Sequence, residues 1–134
     1  METPLTQVLY VDDEPDIREI VTMALELDSS LSVHCCGSGS EALAWLEQHH
    51  PDLILLDVMM PGMDGPATLA KMRTDPALAA IPVVFLTAKA LSGEIERFLS
   101  LGATAVIAKP FDPMTLPQQL REIWHRHQTG GVPG

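Results

Sequence analysis

The stretch Leu53-Ile54-Leu55-Leu56-Asp57-Val58-Met59-Met60-Pro61-Gly62-Met63-Asp64-Gly65 decides how this chain folds. Its first four residues are apolar without alternation, so both faces of the strand they form need cover, as in a parallel sheet held between two helical layers. Asp57 closes the run with a carboxylate, and Gly62, Asp64 and Gly65 are turn formers. Working outward, residues 8–11, 83–86 and 105–108 repeat the same unbroken apolar character. A weaker and more polar run at 31–36 predicts an edge strand. Pro82 stands at the start of the 83–86 run, where a missing N–H is tolerated.

Helical periods fill the intervals. Ile17, Ile20, Val21, Ala24 and Leu25 predict one apolar stripe on a helix with Pro15 in its first turn. Ser38 and Glu41 read as a capping box for a helix carrying Ala42, Trp45 and Leu46, with Trp45 packed on the sheet. Further helices are expected at 66–73, around Ile95, Phe98 and Leu99, and within 113–127, where Leu116, Leu120, Ile123 and Trp124 share a face. Pro117 lacks a donor and would crowd the preceding turn, so that last segment should turn at 113–116 and become regular from about residue 117. A βα unit repeated five times with right-handed crossovers gives an α/β, doubly wound, five-stranded parallel sheet, for which 2-1-3-4-5 is a common strand order. No composition break marks a linker. One domain is expected over 1–128, with a disordered tail at 129–134.

Composition narrows the function. The chain has 134 residues and a formal net charge of −10. That length suits one domain, and that charge repels nucleic-acid phosphates and anionic membranes alike. No apolar stretch reaches transmembrane length, and METPLTQVLYVDDEPD has no basic n-region, so a cytoplasmic location is expected. Cys35 and Cys36 are adjacent, which makes a disulfide between them strained, and they read as ordinary thiols. His34, His49, His50, His125 and His127 have no metal-binding spacing; His49 and His50 suit a helix C-terminus.

In a doubly wound sheet, ligands bind beyond the carboxyl ends of the strands. Asp12 and Asp13 follow the first run, Asp57 ends the third, Thr87 follows the fourth and Lys109 the fifth. Three neighbouring carboxylates repel one another unless a cation joins them, and Mg²⁺ accepts a few carboxylate oxygens while leaving room for a phosphoryl oxygen. Asp57 is then placed as a nucleophile toward phosphorus, with Lys109 to neutralise one phosphoryl oxygen and Thr87 to donate to another.

At these residues the sequence resembles the receiver domain of two-component response regulators, of the chemotaxis-regulator type. The motifs are Asp12 and Asp13 in YVDDEPDIRE, Asp57 in LILLDVMMPGMDG, Thr87-Ala88 in FLTA, and Lys109-Pro110-Phe111, covering about residues 6–127. Each is weak alone; in order, and each at the end of its own strand, they are specific. The resemblance implies a flavodoxin-like fold and an Asp57 that accepts phosphoryl from a phosphohistidine on a sensor histidine kinase or histidine phosphotransfer protein. It implies Mg²⁺, with Mn²⁺ as a substitute, held by Asp13, Asp57 and the backbone carbonyl of Met59, with Asp12 acting largely through water. It further implies a cis Lys109-Pro110 bond, an Ala88 that leaves the phosphoryl group accessible, and a Thr87 that moves toward the phosphate after transfer. The switched surface, also the candidate homodimer surface, would be the fourth and fifth helices with the fifth strand. Val106 stands where many relatives carry the aromatic half of the switch, and Met59 and Lys89 at positions that tune phosphate lifetime. The output would be a separate effector protein or an output domain beyond this chain. The molecule is thus expected to be a signalling phosphoacceptor rather than an enzyme, catalysing only its own phosphotransfer and slow autodephosphorylation.

Two other readings compete. Aspartate-nucleophile phosphohydrolases also use Mg²⁺ but usually carry a second Asp two residues after the nucleophile, where this chain has Met59. Flavin binding on the same topology needs a phosphate-holding loop after the first strand, and DDEPD would repel that phosphate.

Overall fold

A computed structural model describes residues 3–129. The unbroken apolar runs become β1 (Gln7–Val11), β3 (Leu53–Asp57), β4 (Val83–Thr87) and β5 (Ala105–Ala108), and the more polar run becomes β2 (Ser32–Cys36). All pair in parallel, in the order β2-β1-β3-β4-β5, so β2 is indeed an edge. The helices are α1 (Pro15–Glu26), α2 (Gly39–Leu46), α3 (Gly65–Arg73), α4 (Ser92–Ser100) and α5 (Leu116–Gln128). Positions 130–134 of the expected tail lie outside the described residues.

Alternate strand residues feed two separate cores, which is why no central run alternates in polarity. Leu9, Val11, Ile54, Leu56, Val83 and Phe85 pack on one face with Ala42, Leu46, Leu69, Met72 and Phe98. Val8, Tyr10, Leu53, Leu55, Val84 and Leu86 pack on the other with Val21, Leu25, Leu116, Leu120 and Ile123. Phe85 meets Phe98 edge to face at 5.1 Å between ring centroids.

Local packing qualifies some of the expected features and bears out others. Ile20 is 42% exposed, because the face of α1 that meets the sheet is centred on Val21, Ala24 and Leu25. Trp45 is half buried and packs against the α2-side core of the sheet as expected, and its ring also stacks between His34 of β2 and His49, at 4.4 and 4.3 Å. Ser38 caps α2 by accepting from the Glu41 N–H at 3.0 Å, but the Glu41 carboxylate accepts from the Gly37 N–H instead of closing the box on Ser38. His49 does reach the α2 C-terminus, with Nδ1 3.0 Å from the Trp45 carbonyl, while His50 pairs with the Ala77 carbonyl. Pro117 falls in the first turn of α5, where its missing donor costs nothing, so the helix starts at Leu116 much as its position requires. Cys35 and Cys36 are both free thiols, and burial first, with Glu41 adding to it, pushes Cys36 up to about 12.

Candidate functional site

The register of the sheet decides what converges. Val11 pairs with Leu56, Asp57 with Leu86, and Thr87 with Ala108, so the residues at and just beyond these strand ends share one edge. Asp12, Asp13, Asp57, Thr87 and Lys109 therefore meet where the sequence places them. Asp12 is fully buried, Asp57 is 3% exposed and Thr87 1% exposed; Asp13 is half buried.

Backbone geometry brings the β3–α3 loop close to this edge. A Cβ at Gly65 would lie 2.7 Å from the Asp57 carbonyl oxygen and 2.9 Å from the Val58 Cα, so only glycine allows the loop to fold back. The Gly65 N–H donates to the Val58 carbonyl at 3.0 Å, and Asp64 caps α3 by accepting from the Ala67 N–H at 2.9 Å. Gly62 takes a positive φ of 74° at the tip of the loop. Across the edge, the Lys109-Pro110 bond is cis.

Charge is unevenly matched here. Lys109 Nζ sits 2.8 Å from Asp57 Oδ1 and 3.6 Å from Asp12 Oδ2. Burial nonetheless dominates at Asp57 and, with the charges of Asp12 and Asp13, raises its pKa against the opposing pull of Lys109. For Lys109 burial acts to lower the pKa, but Asp57, Asp12 and Glu14 outweigh it and hold the ammonium charged. No hydrogen bond or ion pair to the Asp13 side chain is found among the described residues. The Thr87 hydroxyl accepts from the Lys89 N–H at 3.0 Å, which leaves its own proton free to donate. Met59 is 66% exposed beside Asp57, Ala88 and Lys89 are exposed beyond Thr87, and Val106 is half buried.

One carboxylate oxygen from each of Asp12, Asp13 and Asp57 lies within 4.8 Å of the others. Opposite oxygens around a six-coordinate hard cation stand about 4.2 Å apart, so the donor type and spacing fit such an ion with slight closure or a bridging water. Beside this acidic crevice runs an apolar groove lined by Ile17, Ile20, Ala88, Phe111 and Pro113.

Two contributors escaped the sequence reading. Tyr10, within the apolar run at 8–11, donates its hydroxyl to Asp12 Oδ2 while its ring is fully buried. Burial first, and then that hydrogen bond and the charge of Asp12, drive its pKa far above the usual phenol range. Arg18 donates to the Asp12 carbonyl at 2.6 Å, tying the first turns of α1 to the acidic loop. A hydroxyl in an otherwise aliphatic run was the signal available for Tyr10; a bond to a backbone carbonyl leaves no signal for Arg18.

A family model described as the response regulator receiver domain matches residues 8–121. The response regulator Rre1 of Synechocystis sp. is 37% identical over 134 residues, 100% of this chain and 58% of that protein. The DNA-binding response regulator MtrA of Mycolicibacterium smegmatis is 34% identical over 128 residues, 96% of this chain and 54% of that protein. The chain thus spans little more than half the length of these relatives. Among solved structures, the chemotaxis response regulator CheY4 of Vibrio cholerae superposes with a TM-score of 0.82 at 32% identity, covering 89% of this chain and 98% of that one.

Proposed function

The chain belongs to the response regulator receiver family of two-component systems, a signalling family, and on that premise we propose that Asp57 is its phosphoacceptor. The observation that carries the assignment is the ion pair of Lys109 Nζ with Asp57 Oδ1 at 2.8 Å on a carboxylate that is 3% exposed. An Asp57 oxygen forms the new O–P bond as the P–N bond of a phosphohistidine breaks, and the released imidazole takes up a proton. Lys109 meets one phosphoryl oxygen with its charge, and the free proton of Thr87 is available to a second. Asp13 and Asp57 would hold a Mg²⁺ or Mn²⁺ ion together with the Met59 backbone carbonyl, and Asp12 would act on it through water. That ion supplies neutralisation of phosphoryl charge in the crevice.

The donor is a sensor histidine kinase or a histidine phosphotransfer protein. Signal output runs from Thr87 to the surface of α4, β5 and α5, which would also serve as a homodimer surface, and from there to an effector protein or an output domain. Val106 has no ring to flip, so Thr87 and the backbone after β4 carry the change in this chain. The receiver unit occupies residues 1–128 and works in the cytoplasm; no described helix is long and apolar enough to cross a membrane. Slow autodephosphorylation resets it. A phosphohydrolase is not favoured, since Met59 stands where its general acid would be.

Incubation with Mg²⁺ and acetyl phosphate should give a single phosphoryl adduct by intact-mass measurement, and Asp57→Asn should give none. An adduct that persists in Asp57→Asn sinks the assignment.

A further inference from the structure

Asp12 differs from its two acidic neighbours in having both oxygens engaged by the protein. Oδ1 accepts from the Glu14 N–H at 2.9 Å, and Oδ2 accepts from the Tyr10 hydroxyl. Lys109 stands 3.6 Å from that same Oδ2, but makes its close contact, 2.8 Å, with Asp57. We infer that Tyr10 is a positioning residue of the phosphoacceptor site: its hydroxyl occupies the Asp12 oxygen that would otherwise claim Lys109, and so keeps the ammonium on Asp57. The inference rests on Asp57 being the phosphoacceptor and adds a residue from outside the crevice to its machinery.

The physical argument concerns one donor that two buried carboxylates could share. A buried carboxylate oxygen deprived of its donor is costly, and the cheapest relief is the nearest donor able to move. Asp12 is fully buried, and the nearest donor able to move is the Lys109 ammonium, already paired with it at 3.6 Å, just outside hydrogen-bonding distance, at the end of a flexible stem. Tyr10 cannot drift in the same way, because its ring is fully buried among Val8, Val21, Leu25 and Leu55 on the α1 and α5 side of the sheet. A rigid neutral donor on Asp12 thus directs a mobile charged donor to Asp57. Without it, Lys109 shifts toward Asp12. Asp57 is then less neutralised and attracts a cation more strongly, while the phosphoryl group arriving at Asp57 loses its ammonium.

The signature is a split in direction. In Tyr10→Phe, Mg²⁺ affinity measured by calorimetry without any phosphodonor should tighten roughly three- to ten-fold. Phosphoryl uptake from acetyl phosphate at saturating Mg²⁺ should slow by about ten-fold. Loss of packing alone would weaken both or change neither, and either result overturns the proposal. Because Tyr10 is the only tyrosine in the chain, 3-fluorotyrosine labels this position alone and gives a readout that does not require the variant to fold. Its ¹⁹F resonance should move on Mg²⁺ titration with the calorimetric midpoint; a resonance indifferent to Mg²⁺ also overturns the proposal. If the wild type gains no adduct, Asp57 is not the phosphoacceptor, yet the Mg²⁺ titrations still report separately on Tyr10.

Discussion

The two ends of the sheet use the same residue types differently. At the amino ends, Asp52 Oδ2 accepts from the Thr6 N–H, the Thr6 hydroxyl and the Gln7 N–H at 3.0, 3.0 and 2.9 Å. There too Arg73 donates to the carbonyls of Ala79, Ile81 and Gly102, each at 3.0 Å, joining α3 to the segments that lead into β4 and β5. At the carboxyl ends, Asp12, Asp13 and Asp57 face the single ammonium of Lys109, and the Asp13 side chain has no hydrogen-bonding partner among the described residues. One end satisfies its charges within the fold. The other leaves carboxylate capacity at Asp13 and Asp57 available to a ligand, which lowers stability where binding and chemistry need unfilled capacity.

Substitutions at the two ends should therefore change stability in opposite directions. The largest effect is expected for Arg73→Ala, which removes three charge-assisted bonds to carbonyls and should cost about 2–3 kcal/mol in denaturant unfolding. Asp52→Ala leaves two strand-end N–H groups without their acceptor, but near solvent, and should cost about 1–2 kcal/mol. Asp57→Asn should instead stabilise the Mg²⁺-free protein, because it removes a buried charge whose pKa burial raises, while Lys109 keeps Asp12 as a partner at 3.6 Å. If Asp57→Asn destabilises as the amino-end variants do, the contrast between the two ends is wrong.

The fold was legible because its determinants are local and periodic. The short unbroken runs at 53–56 and 83–86, bounded by turn formers and helical periods, fit strands covered on both faces, and the position of Asp57 at the end of such a run is itself an address in the sheet. The crevice was legible for the same reason, since residues that end successive parallel strands must meet. What could not be read were the partners chosen across the fold. Tyr10 carries a hydroxyl within an apolar run, but nothing in the sequence names Asp12 as its acceptor. Ile20 keeps the helical spacing of the α1 stripe, but how far round α1 the sheet reaches depends on packing angle rather than on spacing. The targets of Arg73 and Arg18 are carbonyls, which every residue carries and no sequence distinguishes.

The smallest and most discriminating effect is the slope of stability with pH, measured in chelator so that no divalent ion intervenes. Asp57 has a folded pKa raised above its unfolded value of about 3.9, so the folded state holds its proton longer. Stability from this group falls as pH rises from about 3.9 through the raised value, and Asp57→Asn should remove that descending component. Asp28, near the amino ends, behaves oppositely. The Arg121 guanidinium first, and then Ser30, hold its carboxyl well below the usual range. Its contribution is fully present above about pH 3.9 and is lost as pH falls toward the depressed value, so Asp28→Asn should remove an ascending component. Lys109 does not confuse the comparison, because its raised pKa places its titration above about 10.4, outside this window. Denaturant midpoints of the wild type and the two variants between pH 3 and pH 7 would show slopes changed in opposite senses. Slopes changed in the same sense would mean that the carboxyl end carries no electrostatic burden distinct from the rest of the molecule.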